Sequence, residues 1–199
     1  MRTLSILIVT IPEREMLFNK LLNNILDQRK EYGVKNVEVR VLFNNHKIPI
    51  GEARNNLLEA ATKDYVCFID DDDKIADDYV ATIMKAINSP EIGGADGYGF
   101  LLKYTETRNG VLAKVQMAHH SGKYARWETV KEGFMVGASV CTYKRTLNHL
   151  NPIRRELALQ AGFTEKNFGE DHDYSKSLAP LIKTSYDIDK VMYFYDKVI

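Results

Sequence analysis

Four consecutive carboxylates, Asp70-Asp71-Asp72-Asp73, follow directly on the apolar run Tyr65-Val66-Cys67-Phe68-Ile69. Packing does not account for them, because two carboxylates ~5.5 Å apart at an effective dielectric of ~20 repel by roughly 3 kcal/mol. Either they splay into water or a cation neutralises them. Alternate residues of an extended segment point to the same side, so Asp70 and Asp72 can converge on one ion, and hard carboxylate oxygens suit Mg²⁺ or Mn²⁺. An EF-hand loop does not fit, since Lys74 stands where the third ligand belongs and Ile75 where glycine is needed. Nor does an aspartyl-phosphate phosphatase, which wants a hydroxyl at the position of Lys74. The structural alternative is a solvated helix start, where acidic residues are favoured. A second acidic pair, Glu170-Asp171, follows Gly169. It reads either as ordinary capping of a first helical turn or as a carboxylate able to take a proton from a hydroxyl. The histidines form no HxxxH or HExxH pattern.

The elements that must hold these residues alternate. Leu4–Thr10 is a branched apolar run that fits a strand buried on both faces. Pro12 and Glu13 open a helix to about Gln28 with an apolar stripe at Leu17, Leu21, Leu22, Ile25 and Leu26. Val37–Phe43 is a second strand, Glu52 to about Thr62 a helix, Tyr65–Ile69 a third strand, and about Asp77–Asn88 another helix. This βαβαβα order predicts a parallel sheet with helices on its faces. Right-handed crossovers then bring Thr10, Asn44 and Asp70 to one edge, the edge where open α/β sheets bind ligands. The second half differs: Gly97–Thr105 and Val111–Ala118 flank the turn signal Asn109-Gly110. Phe134–Thr142 reads as one strand, Pro152–Ala161 as a helix stopped by Gly162, Glu170 to about Leu178 as a helix, and Tyr186–Tyr195 as a closing strand. Without repeats or a linker, residues 1–199 are expected to form a single domain, with a binding half to about residue 100 and a second half beyond it.

Composition narrows the classes. The chain has 199 residues, 45% hydrophobic and 27% charged, with 27 basic and 27 acidic side chains, ordinary values for a globular protein. No global field attracts nucleic acid or an anionic membrane. The basic pairs Lys144-Arg145 and Arg154-Arg155 fit solvated surface or a local patch. Cys67 and Cys141 lie in apolar runs and fit small buried thiols. With no charged leader ahead of the first strand and no segment near 18 apolar residues, a cytoplasmic protein without membrane insertion is expected.

Four segments in this order, Ser5–Arg14, Ile50–Ala61, Tyr65–Asp73 and Phe168–Leu178, together resemble the family 2-like glycosyltransferases of the GT-A fold. The resemblance implies an α/β fold with a Rossmann-like, mostly parallel central sheet and a smaller antiparallel acceptor-side region. It implies that Asp70 and Asp72 hold a divalent metal (Mn²⁺ or Mg²⁺) bridging the diphosphate of a nucleotide sugar, with Asp70 also reaching the ribose and Asp71 beside the donor. Thr10, Pro12 and Arg14 match the loop framing the base, and Arg54 matches a donor-pocket arginine, whose bland reading is a surface arginine. Where the family usually carries an acidic pair, this chain has Asn44-Asn45. An asparagine still bonds a base edge, so Asn44 takes that place, and the departure leaves the base open although a UDP-sugar is the expected donor. Asp171 matches the general base of an inverting transfer, which needs one carboxylate beside the acceptor hydroxyl, whereas glycosidases need a pair. By family habit His149 completes the metal site, though it reads equally as a surface or capping histidine, with His119, His120 and His172 behind it. Trp127 reads equally as an acceptor-stacking platform or a loop anchor.

The closing third also resembles small stand-alone enzymes of phage and viral genomes, some of which modify hydroxymethylated DNA bases while others act on saccharides or proteins. If viral, the enzyme would work in the host cytoplasm. A nucleotidyltransferase making nucleotide sugars would want a glycine-rich loop where this chain has Ile11–Met16. A non-catalytic nucleotide-sugar or metal-binding module would have no use for the base at Asp171.

Overall fold

A computed structural model describes residues 1–199. Strand β1 (Leu4–Thr10) lies between two parallel neighbours, β2 (Val37–Phe43) and β3 (Tyr65–Phe68). Alternation along β1 divides the core. Leu4, Ile6 and Ile8 point into one apolar cluster, covered by helices α1 (Glu15–Arg29) and α4 (Tyr79–Asn88). Leu7 points into a second, covered by α3 (Ile50–Ala60), α5 (Arg155–Ala161) and α6 (Glu170–Leu178). A sheet of which both faces must be covered explains why its strands read as continuous apolar runs. A one-turn α2 (Gly33–Asn36) leads into β2, and Pro12–Arg14 form a 3-10 turn before α1.

A ten-stranded sheet runs on from this parallel part. The two-residue β9 (Ile153–Arg154) pairs antiparallel with β3 and links it to β5 (Gly97–Arg108). β5 forms a hairpin with β6 (Val111–His120), and β6 pairs with β8 (Ser139–Arg145), which carries β7 (Glu128–Val136) at the edge. The long β10 (Ser185–Val198) runs parallel to β5 and also pairs with the short β4 (Lys74–Ile75). Asn109 and Gly110 both take positive φ, 49° and 76°, as the hairpin signal requires.

Three expectations need correction. Phe134–Thr142 is not one strand but parts of β7 and β8, reversed at Gly137, where φ is 54°. Pro152 does not open a helix: the chain pairs briefly as β9 before α5 begins at Arg155. The aspartates do not continue the third strand in extended form, because Asp73 N–H bonds back to the Asp70 carbonyl at 3.1 Å and closes a tight turn. No helix is long and apolar enough to cross a membrane.

Candidate active site

The carboxyl ends of β1 and β3, the aspartate turn, the end of β8 and the start of α6 surround a cleft of about 620 Å³. Asp70, Asp71, Asp72, Arg14, Arg54, His149 and Asp171 all line it. Thr10, Pro12 and Asn44 do not. Thr10 is buried, and its carbonyl accepts the Asn44 N–H at 2.8 Å. The Asn44 side chain holds its own loop, donating to the Ile48 carbonyl at 2.9 Å and accepting from Lys47 N–H at 3.2 Å. That amide is occupied, which disagrees with its use on a base edge.

Within the turn the four carboxylates have four different environments. Asp70 Oδ1 accepts from Arg54 at 2.8 Å. Burial works to raise its carboxyl, but the Arg54 guanidinium and His149 outweigh that and hold it well below the ordinary range. Asp71 is buried and accepts from Arg14 at 2.9 Å and from Ile11 N–H at 3.3 Å. Asp72 remains one-third exposed and meets the other Arg14 amine at 3.0 Å. Asp73 is turned inward. Burial and the neighbouring Asp70 push it up to about 8, and Tyr193 Oη donates to its Oδ2 at 2.8 Å. The same Tyr193 oxygen accepts the Asp70 N–H at 3.0 Å, so β10 pins the turn from below.

Arg54 is a buried strut. Its guanidinium bonds Glu170 at 2.5 Å on one side and Asp70 on the other, between the rings of Phe68 and Phe163. A planar fork suits such a double carboxylate bridge in a way an ammonium does not. The bland reading of Arg54 as a surface arginine is therefore corrected. Glu170 is taken up by this bridge, whereas its neighbour Asp171 faces the cleft, with Oδ2 3.0 Å from Arg145. Gly169, at φ 78°, makes the left-handed turn that starts α6 in this orientation. Burial acts to raise the Asp171 carboxyl, but His149 and Arg145 prevail and keep it below its ordinary value, hence ionised.

His149 is buried, with its backbone carbonyl fixed by Phe68 N–H at 2.8 Å and its ring edge-on to Phe68 and Phe163. Burial and then Arg54 lower its pKa, leaving a neutral imidazole. Neither ring nitrogen has a hydrogen-bond partner, and Nε2 lies 3.9 Å from Asp70 Oδ1. The carboxylates of Asp70 and Asp72 are hard oxygen donors of the kind that suit Mn²⁺ or Mg²⁺, and the orphaned His149 nitrogen stands beside Asp70, although no three such side chains are gathered as a closed metal site. Of the other histidines only His120 lines the same cleft, and its Nε2 also lacks a partner. His119 is on the far face of the sheet, against Tyr124 and Asp187. His120 stacks on Phe100 and bonds Asn151, and His172 is exposed.

Beyond Asp171 the cleft floor is the front face of β5, β6, β8 and β10, with Tyr104 and Tyr195 5.4 Å apart and Gln116 beside them. Trp127, 57% exposed, lies over Tyr143 at 6.3 Å and 24° and lines the same cleft. An exposed aromatic face with polar neighbours suits a ring laid flat upon it. Sequence reasoning missed Tyr193, Arg145 and the bridging role of Glu170. Arg145 was visible only as half of a basic pair, and nothing local marked the other two.

The sequence profile of glycosyl transferase family 2 matches residues 19–145, more than half of the chain, and ends before Glu170-Asp171. No curated protein sequence matches the chain. Among solved structures, S. aureus TarS superposes with a TM-score of 0.63 at 17% identity over 98% of this chain and 36% of that one. TarS 1–349 in complex with UDP gives 0.61 at 18% identity, covering 98% and 60%. TarS 1–349 in complex with UDP-GlcNAc gives 0.61 at 17%, covering 98% and 58%. The likeness is one of fold, a mixed α/β architecture with a mostly parallel central sheet, and this chain spans less than two thirds of those proteins.

Proposed function

The chain belongs to glycosyl transferase family 2, and from that premise we propose that it is a metal-dependent, inverting hexosyltransferase moving a sugar from a nucleotide diphosphate, a UDP-sugar by preference, to a hydroxyl acceptor. The observation that carries this reading is the arrangement across the cleft. On one side is a carboxylate turn tied to α6 through Arg54, and on the other an ionised Asp171 facing the same space. The donor in the TarS complexes supports the choice of nucleotide. The free thiols of Cys67 and Cys141 accord with a reducing, cytoplasmic compartment.

Each side chain then has a task. Arg54 fixes the Asp70 carboxylate, and Glu170 fixes Arg54, so the donor half is bridged to α6. Arg14, bound to Asp71 and Asp72 and 43% exposed, is the cation within reach of an entering diphosphate. Asp70, Asp72 and His149 are the residues that would hold a divalent ion, and when bound it supplies neutralisation of charge on the departing nucleotide diphosphate. Asp171 accepts the proton of the acceptor hydroxyl at its carboxylate as the oxygen attacks the anomeric carbon. Arg145 orients that carboxylate and keeps it ionised.

Calorimetric titration of UDP-GlcNAc tests the donor half. Binding is expected with Mn²⁺ and is expected to fall at least tenfold in EDTA or in Asp72→Ala. Equal affinity under all three conditions would remove the metal from the reading. No binding of any UDP-sugar would remove the donor assignment itself.

A further inference from the structure

On the face of the sheet opposite the cleft, one buried carboxylate gathers the segment that carries Trp127. The Asp187 side chain is 7% exposed. It sits beside Gly99, its partner in the β5–β10 register. A Cβ at Gly99 would lie 2.5 Å from Asp187 Oδ1 and 2.1 Å from the His120 carbonyl, so only glycine leaves room for the carboxylate there. Asp187 Oδ2 accepts from Ser121 Oγ at 3.0 Å and from Lys123 Nζ at 2.8 Å. His119 Nε2 stands 3.6 Å away, and its Nδ1 pairs with Tyr124 Oη at 2.9 Å. Gly122 packs so closely on Ser185, at the start of β10, that an added Cβ would meet Ser185 Oγ at 2.4 Å. Ser121 N–H bonds the Arg145 carbonyl at 2.9 Å, and Ser121 Oγ accepts the Lys123 N–H at 3.2 Å.

The segment Ser121–Arg126 is thus fastened to β10 on the rear face, and it ends in the tryptophan that stands over Tyr143 on the cleft face. Trp127 itself has no hydrogen bond to hold it, only the ring stack. On its C-terminal side it adjoins β7, whose Glu128 and Thr129 pair with Lys144 and Tyr143 of β8; on its N-terminal side its place over the outer cleft depends on where the preceding six residues are tied. A buried carboxylate with two polar partners from one short segment, and His119 of β6 beside it, is more than packing requires, because burying it costs several kcal/mol unless those partners are held.

We propose that Asp187 is a positioning residue for the acceptor half of the cleft, acting through the Ser121–Arg126 segment to hold Trp127 over Tyr143. The assignment of that half to the acceptor rests on the function proposed above. The positional claim itself does not, and the test separates them.

Trp127 is the sole tryptophan, so intrinsic fluorescence reports this ring alone. In Asp187→Asn the carboxamide still accepts from Ser121 but loses the charge that holds Lys123. The variant is expected to unfold cooperatively, with Trp127 emission shifted to the red and its acrylamide quenching constant raised about twofold. Mn²⁺-dependent UDP-GlcNAc affinity, measured calorimetrically, is expected to stay within twofold of wild type. An unchanged emission and quenching constant in folded Asp187→Asn overturns the proposal. A donor affinity that falls in parallel also overturns it, since Asp187 would then support the whole cleft. If Asp187→Asn does not fold, Ser121→Ala removes one tie and leaves the carboxylate buried. The same emission shift there supports the anchor, and its absence overturns it. Failure of wild type to bind any UDP-sugar strikes the proposed function and leaves the fluorescence comparison intact.

Discussion

Asp171 and Asp72 face one cleft, yet their surroundings assign them different work. Asp72 belongs to a cluster of like charges, where burial and the adjacent Asp71 and Asp70 raise its pKa against the pull of Arg14. Such a group gains from a further cation. Asp171 is held below its ordinary value against burial by His149 and Arg145, the latter 3.0 Å from its Oδ2, so it is ionised at neutral pH and able to take a proton. Asp171→Asn preserves size and much of the Arg145 contact's geometry but removes the acceptor for that proton. Sugar transfer is expected to fall by ~10²- to 10⁴-fold, the usual weight of general-base catalysis, while UDP-GlcNAc affinity in the presence of Mn²⁺ stays within twofold. Asp72→Ala should do the reverse, weakening donor binding first. Near wild-type transfer by Asp171→Asn would reduce the residue to a helix cap. The neighbouring acids are poor substitutes, since Glu170 is locked to Arg54 and Asp173 to Lys166 and Thr164.

The elements show where local sequence suffices and where it does not. Helix α3 places Arg54 because its first turn touches the loop before α6: Gly51 N–H bonds the Lys166 carbonyl at 3.2 Å, and a Cβ there would fall 1.9 Å from the Thr164 carbonyl oxygen. Gly51→Ala must therefore separate α3 from that loop and stretch the Arg54–Glu170 bridge. A loss of ~1–3 kcal/mol, as for overpacking, is expected in denaturant unfolding, with weaker donor binding; full stability would mean the contact yields freely. The parallel half was legible because buried strands are continuous apolar runs and their helices carry apolar stripes: β2 matches its expected span, and α1 and α3 lie within a few residues of theirs. The edge assignment of Asp70 followed from handedness alone. The aspartate turn was misread, because charge repulsion says that the carboxylates separate but not that the backbone reverses. Phe134–Thr142 was misread because apolar composition concealed the turn at Gly137. Arg54–Glu170, at 116 residues' separation, and Tyr193 beneath the aspartates depend on tertiary packing, of which neither segment carries a local sign. Asn44 was placed at the right edge, and its amide was nevertheless taken by its own loop.

Across the whole molecule, two buried groups set opposing slopes of stability with pH. His120 is buried against Phe100 and is lowered to about 3, by burial first and Arg145 second. Its folded value lies below that of a free histidine near 6.5, so the unfolded chain binds the extra proton, and stability is lost as pH falls from 6.5 towards 3. Asp73 is raised to about 8 from 3.8. Here the folded protein binds the extra proton, so its contribution is complete below 3.8 and is lost as pH rises through 8. Each fully developed slope is about 1.4 kcal/mol per pH unit. Below 6.5 the two oppose, and His149 and His119, both lowered by burial, add to the histidine side, so stability falls as pH is lowered from 6.5. Above 6.5 only the Asp73 slope remains, and below 4 the carboxylates held low, Asp70 and Asp171 among them, add to the loss. Denaturant unfolding in EDTA should then give a maximum near pH 6.5, with a loss towards acid pH and a decline of roughly 1.4 kcal/mol per unit from there to 8. Asp73→Asn should abolish that decline. His120→Phe keeps a ring on Phe100 but cannot titrate, so it should reduce the loss of stability between pH 6.5 and 4 by up to about 1.4 kcal/mol per unit. A wild-type curve flat to pH 8 would mean that Asp73 is ionised in the folded protein, and the inward-turned carboxylate would have to be counted with Asp70 and Asp72 among the charges facing the cleft.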